Sequence, residues 1–447
     1  MAITPANLET VALNSTPLQR YRPVLGEEGW AAFDRAMRTF AARVRGRAVW
    51  NVNSTARGGG VAEMLSSLIP YDIAAGVDER WAVIEGSPDF FDLTKKIHTL
   101  LHGVSPDGSQ LTANDRQVYE HTLEPNVAAL LDVMRPGDLA VLHDPQTAGL
   151  IPALTQHGIK VVWRSHIGID EPNAIVRDAW RFLAPYLTTA SAVVFSRAAY
   201  VWDGCEPARV RIIAPCIDPF TTKNRDLDAG EMSNVISGSR LLNGMPASAR
   251  FVMQVSRWDR LKDPVGVVQA FARHVGPRTD AWLVLAGPAV RSVDDDPEQP
   301  EIIAEVQRAV GEVDPSTRER IVIAQIPMED LDENALIVNA LQRRADVVLQ
   351  KSLAEGFGLT VAEAMWKSRP VVASRVGGIE DQIESGKSGI LVDDPKDLAG
   401  FGDAIVGLLD DRTRASELGR QARRRVIEQF LAPRHLMQQA ELLSSLV

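Results

Sequence analysis

The run Ala345-Asp346-Val347-Val348-Leu349-Gln350 leads through a short loop into Glu355-Gly356-Phe357-Gly358-Leu359-Thr360-Val361-Ala362-Glu363-Ala364-Met365, and the helical pattern stops at Lys367-Ser368-Arg369-Pro370. An apolar strand, a loop with two glycines and a helix make one βα unit. In an open α/β sheet, ligands sit where the carboxyl end of a strand gives way to a helix N-terminus. Unpaired backbone N–H groups and the positive end of the helix dipole favour an anion there, and glycine lets the backbone come close. Glu355 and Glu363 flank the loop. Carboxylates accept from hydroxyls and amides hold phosphates, so the stretch offers both kinds of contact. Thr360-x-x-Glu363 also fits a capping box, in which Glu363 would serve only its own helix.

Outward from this unit the same pattern recurs. β-rich runs at Ala48–Val52, Trp81–Ile84, Leu139–Leu142, Lys160–Trp163, Ala192–Phe195 and Val210–Ile213 alternate with helical stretches in the first half. Phe251–Val255, Trp282–Ala286, Ile321–Ala324, Val347–Gln350, Pro370–Ala373 and Gly389–Val392 do so in the second. Alternation of this kind implies right-handed βαβ units and mostly parallel sheets. The strands are too many for one comfortable sheet, so two doubly wound domains are expected. The polar, turn-rich segment after Asp218 marks the break. The expected division is 1–218, a linker at 219–248, and 249–447, with the last helix free to pack back on the first domain. Glu27 to Val44 has apolar residues at helical spacing and predicts an amphipathic helix. Asp294–Pro300 reads as an acidic surface loop, and Arg420, Arg423, Arg424 and Arg425 as an exposed helix face.

Composition narrows the class. The chain has 447 residues, 45% hydrophobic and 24% charged, as in a globular protein. A net charge of −10 speaks against nucleic acid as a partner. Cys205 and Cys216 are too few for a disulfide framework, which fits a reducing cytoplasm. Met1 to Gln19 lacks the pattern of a signal peptide, and no apolar run reaches the length of a membrane span. The histidines are scattered and no cluster has metal-ligand spacing, so no metal and no cofactor is expected. No Gly-x-Ser-x-Gly elbow is present.

Four segments at strand ends could carry chemistry. Asn51-Val52-Asn53-Ser54-Thr55 runs into Gly58-Gly59-Gly60, where amides at a helix start could meet a phosphate, or glycine could simply close a tight turn. It lacks the Lys-Ser/Thr of a Walker loop. His143-Asp144-Pro145-Gln146 and Trp163-Arg164-Ser165-His166-Ile167-Gly168 end two other strands. An Asp before Pro is also a turn former, and a lone His is often structural. Ser256-Arg257-Trp258-Asp259-Arg260-Leu261-Lys262-Asp263 places Arg257 and Lys262 where a fork and a point charge could hold a diphosphate. A solvated loop with local Asp259 and Asp263 pairing is the other reading.

Taken together, Ser256-Arg257 with Lys262, the Glu355 and Glu363 pair around Gly356-Phe357-Gly358-Leu359-Thr360, and Val376-Gly377-Gly378 resemble the retaining nucleotide-sugar glycosyltransferases of family 4, with the GT-B fold. Asn51 to Leu65, His143-Asp144-Pro145-Gln146, Trp163 to Ile167, Ile217-Asp218-Pro219 and Glu363-Ala364-Met365-Trp366 look like the trehalose glycosyltransferring synthases within that family. The resemblance runs from about Tyr21 to the C-terminus. It implies two Rossmann-like domains facing across a cleft. It also implies transfer of glucose from a nucleotide diphosphate glucose to free glucose, giving α,α-trehalose and the nucleotide.

On this resemblance His166, Arg257, Lys262 and Glu355 would be catalytic. Arg257 and Lys262 would hold the donor diphosphate, Glu363 the ribose and Glu355 the transferring sugar. Gly356, Phe357, Gly358, Leu359 and Thr360 would line the donor, and Gly59 and Gly60 would close over the phosphates. Asp144, Gln146, His166 and Gly168 would face the acceptor. Partners would be small sugar substrates, with a homodimer left open. The family has an acidic residue after His-Ile where this chain has Gly168, with Asp170 two positions on. That departure leaves a cyclitol or a sugar phosphate as an alternative acceptor. A phosphorylase using inorganic phosphate on the same fold, or a non-catalytic sugar-nucleotide sensor, would be rival activities for the same scaffold.

Overall fold

The computed structural model describes residues 6–57, 59–105, 108–289 and 298–447. The chain forms two compact units, Met1–Cys216 together with Ala432–Val447, and Ile217–Leu431.

In the first unit, seven strands form one sheet: β1 (Glu9–Val11), β2 (Ala48–Asn53), β3 (Asp78–Val83), β4 (Leu139–His143), β5 (Lys160–Ser165), β6 (Ala192–Phe195) and β7 (Val210–Ile212). Their order is β1-β3-β2-β4-β5-β6-β7, parallel except for β1, which runs antiparallel to β3. β2 and β4 are buried at every residue, as strands covered by helices on both faces must be. Connectivity reverses between β2 and β4, the switch point where such sheets bind ligands.

Six parallel strands make up the second sheet: β8 (Phe251–Val255), β9 (Trp282–Pro288), β10 (Ile321–Ile326), β11 (Val347–Gln350), β12 (Val371–Ser374) and β13 (Ile390–Val392). The order β10-β9-β8-β11-β12-β13 is the Rossmann order. Its switch point lies between β8 and β11, the strands that lead into Ser256–Asp263 and Glu355–Gly358.

Each β-rich run of the sequence overlaps a strand of these sheets, to within one residue at either end of the run. β1 is an addition; at three mostly exposed residues it carries no period to read. The expected helix over Glu27–Val44 is Arg22–Arg43, broken at Gly26, whose φ is 69°.

The domain boundaries differ from expectation. Residues 219–248 are part of the second unit and not a linker. Helix Ala229–Ser239 packs on helix Leu331–Arg344. Asn224 is buried, its carbonyl taking the Trp366 indole N–H at 2.9 Å and its side chain the Lys367 ammonium at 3.0 Å. Polar residues read as linker because their partners are distant in sequence. The helix Ala432–Ser444 belongs to the first unit, packed against Arg22–Arg43. Arg434 donates to the carbonyls of Ala214 and Pro215, both at 2.8 Å.

Two smaller expectations also change. Of the acidic loop Asp294–Pro300, residues 294–297 lie outside the described residues, as does Gly58, and from Glu298 the chain is helical. Arg420 and Arg424 are exposed as expected, but Arg423 and Arg425 are half-buried: the first lies 3.8 Å over the Trp366 ring and the second donates to the Gln382 and Asp381 carbonyls.

Candidate active site

At the second unit's switch point the loops after β8 and β11 are tied together by one buried side chain. Gln254 donates to the Lys262 carbonyl at 2.7 Å and accepts from the Lys351 amide at 2.8 Å. Leu353 N–H reaches the Leu261 carbonyl at 2.7 Å. Asp263, in the left-handed region at φ 44°, caps helix Pro264–Ala270 and pairs with the buried Lys351 ammonium. Trp258 anchors the loop by its indole N–H to the Pro288 carbonyl at 2.8 Å; a Cβ on Gly287 would stand 2.6 Å from its ring.

This frame brings the Lys262 ammonium to 2.6 Å from Glu355 Oε2. Both side chains are largely buried, at 16% and 11% exposure. Arg257 is different: it lies 62% exposed and pairs with Asp259 at 3.1 Å. Local pairing in this loop is therefore present for Arg257, while Lys262 turns inward. Beyond Glu355 the chain passes through Gly356, Phe357 and Gly358, whose φ is 82°, into helix Leu359–Trp366. The N-cap residue Gly358 has no side chain to cap that helix, so its first N–H groups keep the positive end of the dipole available. The loop is held from behind. Gln382 donates to the Phe357 and Gly358 carbonyls, and Gly378 passes so close that a Cβ would meet Phe357 Cα at 2.7 Å.

The capping-box reading of Glu363 fails. Thr360 is already inside the helix and its hydroxyl donates to Gln350 at 2.8 Å. Glu363 is buried at 4% exposure, with Lys223 at 3.9 Å. Lys367, one turn on, gives its ammonium to Asn224, Gln342 and the Glu363 carbonyl at 2.8–3.3 Å. Burial lowers that ammonium to about 7, against the pull of Glu363.

In the first unit, β4 ends at His143 and the next residue, Asp144, has φ 64° and ψ 176°. That region is close to glycine-only, and a non-glycine held there is strained by about 1–3 kcal/mol. Several bonds hold it: Asp144 N–H to the Arg164 carbonyl at 2.8 Å, the Trp163 indole to the Asp144 carbonyl at 3.0 Å, and the His166 amide to Asp144 Oδ1 at 2.7 Å. Trp163 is itself fixed edge-on against Trp180, ring centroids 6.2 Å apart. Burial pushes the Asp144 carboxyl up to about 7. It pushes His143 down to about 3 and His166 well below its usual range, with the buried Arg164 guanidinium adding to both. His143 and His166 are linked, ring nitrogen to ring nitrogen, at 3.1 Å. Gln146 Oε1 is buried with no hydrogen-bond partner among the described residues. Gly59, φ 80°, is the N-cap of helix Gly60–Ala75, again with no capping side chain.

Gly168 has a packing reason. A Cβ there would lie 2.1 Å from Cγ of the buried Tyr200. Arg197 sits 5.6 Å over the same ring and binds Asp170 at 2.6 Å. No acidic side chain fits at 168 with Tyr200 in place. Gly168→Ala is expected to cost about 1–3 kcal/mol by overpacking, read from urea unfolding. In a Tyr200→Gly background, which removes the Tyr200 Cβ at 2.5 Å as well as the ring, the same change should cost nothing further. An equal cost in both backgrounds would refute the steric account.

Comparison with known proteins follows the same division. The family described as "Trehalose synthase, N-terminal domain" matches residues 51–202, and "Glycosyl transferases group 1" matches residues 243–425. A trehalose synthase of Rubrobacter xylanophilus is 35% identical over 98% of this chain and 99% of its own length. The chain belongs to the trehalose synthase family of group 1 glycosyltransferases. A second relative, the trehalose synthase of Thermococcus litoralis, is 33% identical over 96% of this chain and 97% of its own.

Among solved structures, one described as trehalose-6-phosphate from E. coli bound with UDP-2-fluoro glucose superposes with a TM-score of 0.70 at 14% identity, over 89% of this chain and 98% of that one. Sucrose-phosphate synthase of Thermosynechococcus elongatus gives 0.64 at 19% identity, over 90% and 99%. These establish the GT-B fold of this trehalose synthase family member. Among the described residues no helix is long and apolar enough to cross a membrane, and no acidic, His or Cys cluster could hold a metal ion.

The parts of this site that sequence reading missed are its supports: Gln254, Lys351, Lys367 and Gln382. One signal existed. Phe251-Val252-Met253-Gln254-Val255 and Val347-Val348-Leu349-Gln350 each put a glutamine in a strand buried on both faces, where an amide needs partners.

Proposed function

We propose that the enzyme transfers a glucosyl group, with retention, from a nucleotide diphosphate glucose to free glucose, releasing α,α-trehalose and the nucleotide in a reversible reaction. The Lys262–Glu355 pair beside the uncapped helix at Leu359 carries this reading. A diphosphate offered to that corner takes Lys262 from its carboxylate partner and gains the helix N–H groups. Glu355 is then released toward the sugar hydroxyls. Arg257, exposed on the same turn, adds a bidentate contact. Glu363 accepts from the ribose, with Lys223 and Lys367 beside it. As the bond to the anomeric carbon breaks, charge grows on the leaving phosphate, and Lys262, Arg257 and the helix terminus stabilise it. The acceptor hydroxyl attacks from the face of departure and gives its proton to that phosphate, so no enzyme nucleophile is needed.

On the acceptor side Asp144, Gln146 and His166 offer polar atoms to a sugar. Kinship with two trehalose synthases over nearly the whole chain supports glucose as acceptor. The test is product analysis with UDP-, ADP- and GDP-glucose plus free glucose. Trehalose with the α,α linkage by NMR is the expected result. Nucleotide release without trehalose would reject glucose as acceptor.

A phosphorylase reading has one observation behind it. A trehalose phosphorylase of Pleurotus pulmonarius is 28% identical over 88% of this chain, which spans 56% of that protein. Thermal stabilisation by inorganic phosphate and not by nucleoside diphosphates would favour it.

A further inference from the structure

A line of buried polar side chains runs behind His166, inside the first unit, and the transfer scheme above uses none of it. Asp72 and Glu79 are 2% and 7% exposed and hydrogen-bond to each other, carboxyl to carboxyl. Two carboxyl groups can do so only if one keeps a proton. Burial raises both, and the charge of Asp72 raises Glu79 further. Glu79 Oε2 meets no N–H or hydroxyl among the described residues, so the pair's proton lies on that side and Oε1 is left to accept. Oε1 takes the Nδ2–H of Asn51 at 2.6 Å.

That contact orients the Asn51 carboxamide. Its Oδ1 faces His143 Nε2 at 3.1 Å. A carbonyl oxygen only accepts, so His143 carries its proton on Nε2 and leaves Nδ1 as a lone pair. Nδ1 lies 3.1 Å from Nε2 of His166, which must therefore donate. His166 is then protonated on Nε2, and its Nδ1 is a lone pair. The rings are neutral: burial and the Arg164 charge hold both below the range in which imidazole titrates, and His435 adds to the effect on His166. A second proton on either ring would set donor against donor.

We infer that Asp72, Glu79 and Asn51 are positioning residues that lock His143 and His166 in the Nε2–H tautomer and so present His166 Nδ1 as an acceptor to a substrate hydroxyl. The substrate contact rests on the transfer reading; the tautomers do not. The order of donors along the line gives it direction: carboxyl, amide, imidazole, imidazole, then sugar. Reversing any one link would turn His166 Nδ1 into a donor.

The test uses the full-length enzyme labelled with ¹⁵N-histidine. Ring nitrogen shifts read each tautomer directly, without substrate. Both His143 and His166 are expected as Nε2–H. Either ring found Nδ1–H, or averaging between forms, overturns the inference and leaves the donor-site assignments standing. Asn51→Ala removes the orienting acceptor: the two rings should show mixed tautomers, with kcat down about tenfold or more and donor KM little changed. Asn51→Asp keeps an oxygen facing His143 and, by taking up one further proton on its other oxygen, still donates to Glu79 Oε1, so it should restore the Nε2–H pattern. A role in packing alone predicts the opposite ranking, because a third carboxyl beside Asp72 and Glu79 would harm a buried site more than alanine does. If Asn51→Ala does not fold, the wild-type and Asn51→Asp spectra still decide.

Discussion

Lys262→Ala is expected to lower kcat about 10²–10³-fold, the scale for removing one donor aimed at growing charge in a transition state. The ammonium sits on a turn fixed by Gln254 and Asp259 and cannot be replaced from nearby: Arg257 is exposed and bound to Asp259, and Lys351 is committed to Asp263. The same change takes the ammonium from Glu355, 11% exposed, leaving the Ser352 hydroxyl at 3.4 Å in place of a charged partner, at a cost of about 1–3 kcal/mol. The two effects separate. Lys262→Ala with Glu355→Gln should recover most of the stability in urea unfolding, while turnover stays low. Near-wild-type turnover in the single variant would remove the diphosphate clamp from the scheme.

The second large effect is expected at Asp144. Alanine there loses the acceptor for the His166 amide and must still adopt φ 64°; activity should fall about 10²-fold or more and the fold should lose about 1–3 kcal/mol. Asparagine tolerates positive φ and can still accept, so Asp144→Asn should fold well. It should also alter the response to pH. Burial lifts the Asp144 carboxyl to about 7, so the folded protein holds a proton that the unfolded chain gives up from about pH 4 upward. Folding takes up that proton in between, and stability falls as pH rises through this window, by at most about 1.4 kcal/mol per unit. Urea titrations of the two proteins across that range should show stability falling less steeply with pH in Asp144→Asn than in wild type, the difference isolating Asp144 from Asp72, Glu79 and the buried histidines, which contribute to both. Equal slopes would place the titrating group elsewhere.

The sheets were legible because strands buried on both faces leave apolar runs, and glycines mark the turns that follow. Both switch points could be located from Asn51–Gly60, His143–Gln146, Ser256–Asp263 and Glu355–Gly358 alone. What sequence concealed was partnership. Asn224 looked like linker because Trp366 and Lys367 are far along the chain. Asn51 looked like part of a glycine turn, although its amide joins Glu79 to His143. Gly168 looked like a specificity change, and Tyr200 supplies a steric reason for it. Thr360 and Glu363 satisfied a capping pattern, but the helix begins at Leu359, two residues earlier than the box requires.

The chain leaves the first unit after Cys216 and returns to it only at Ala432. Arg164, 2% exposed, bonds through its guanidinium to His435 at 2.9 Å and to the Ile213 carbonyl at 3.1 Å. During synthesis the second unit can therefore fold while the first still waits for its final helix, reversing the usual N-to-C order. Until His435 has emerged from the ribosome, the guanidinium beneath His143 and His166 lacks one of its acceptors. A premature stop after Leu431 would spare the unit it adjoins in sequence and damage the one begun hundreds of codons earlier.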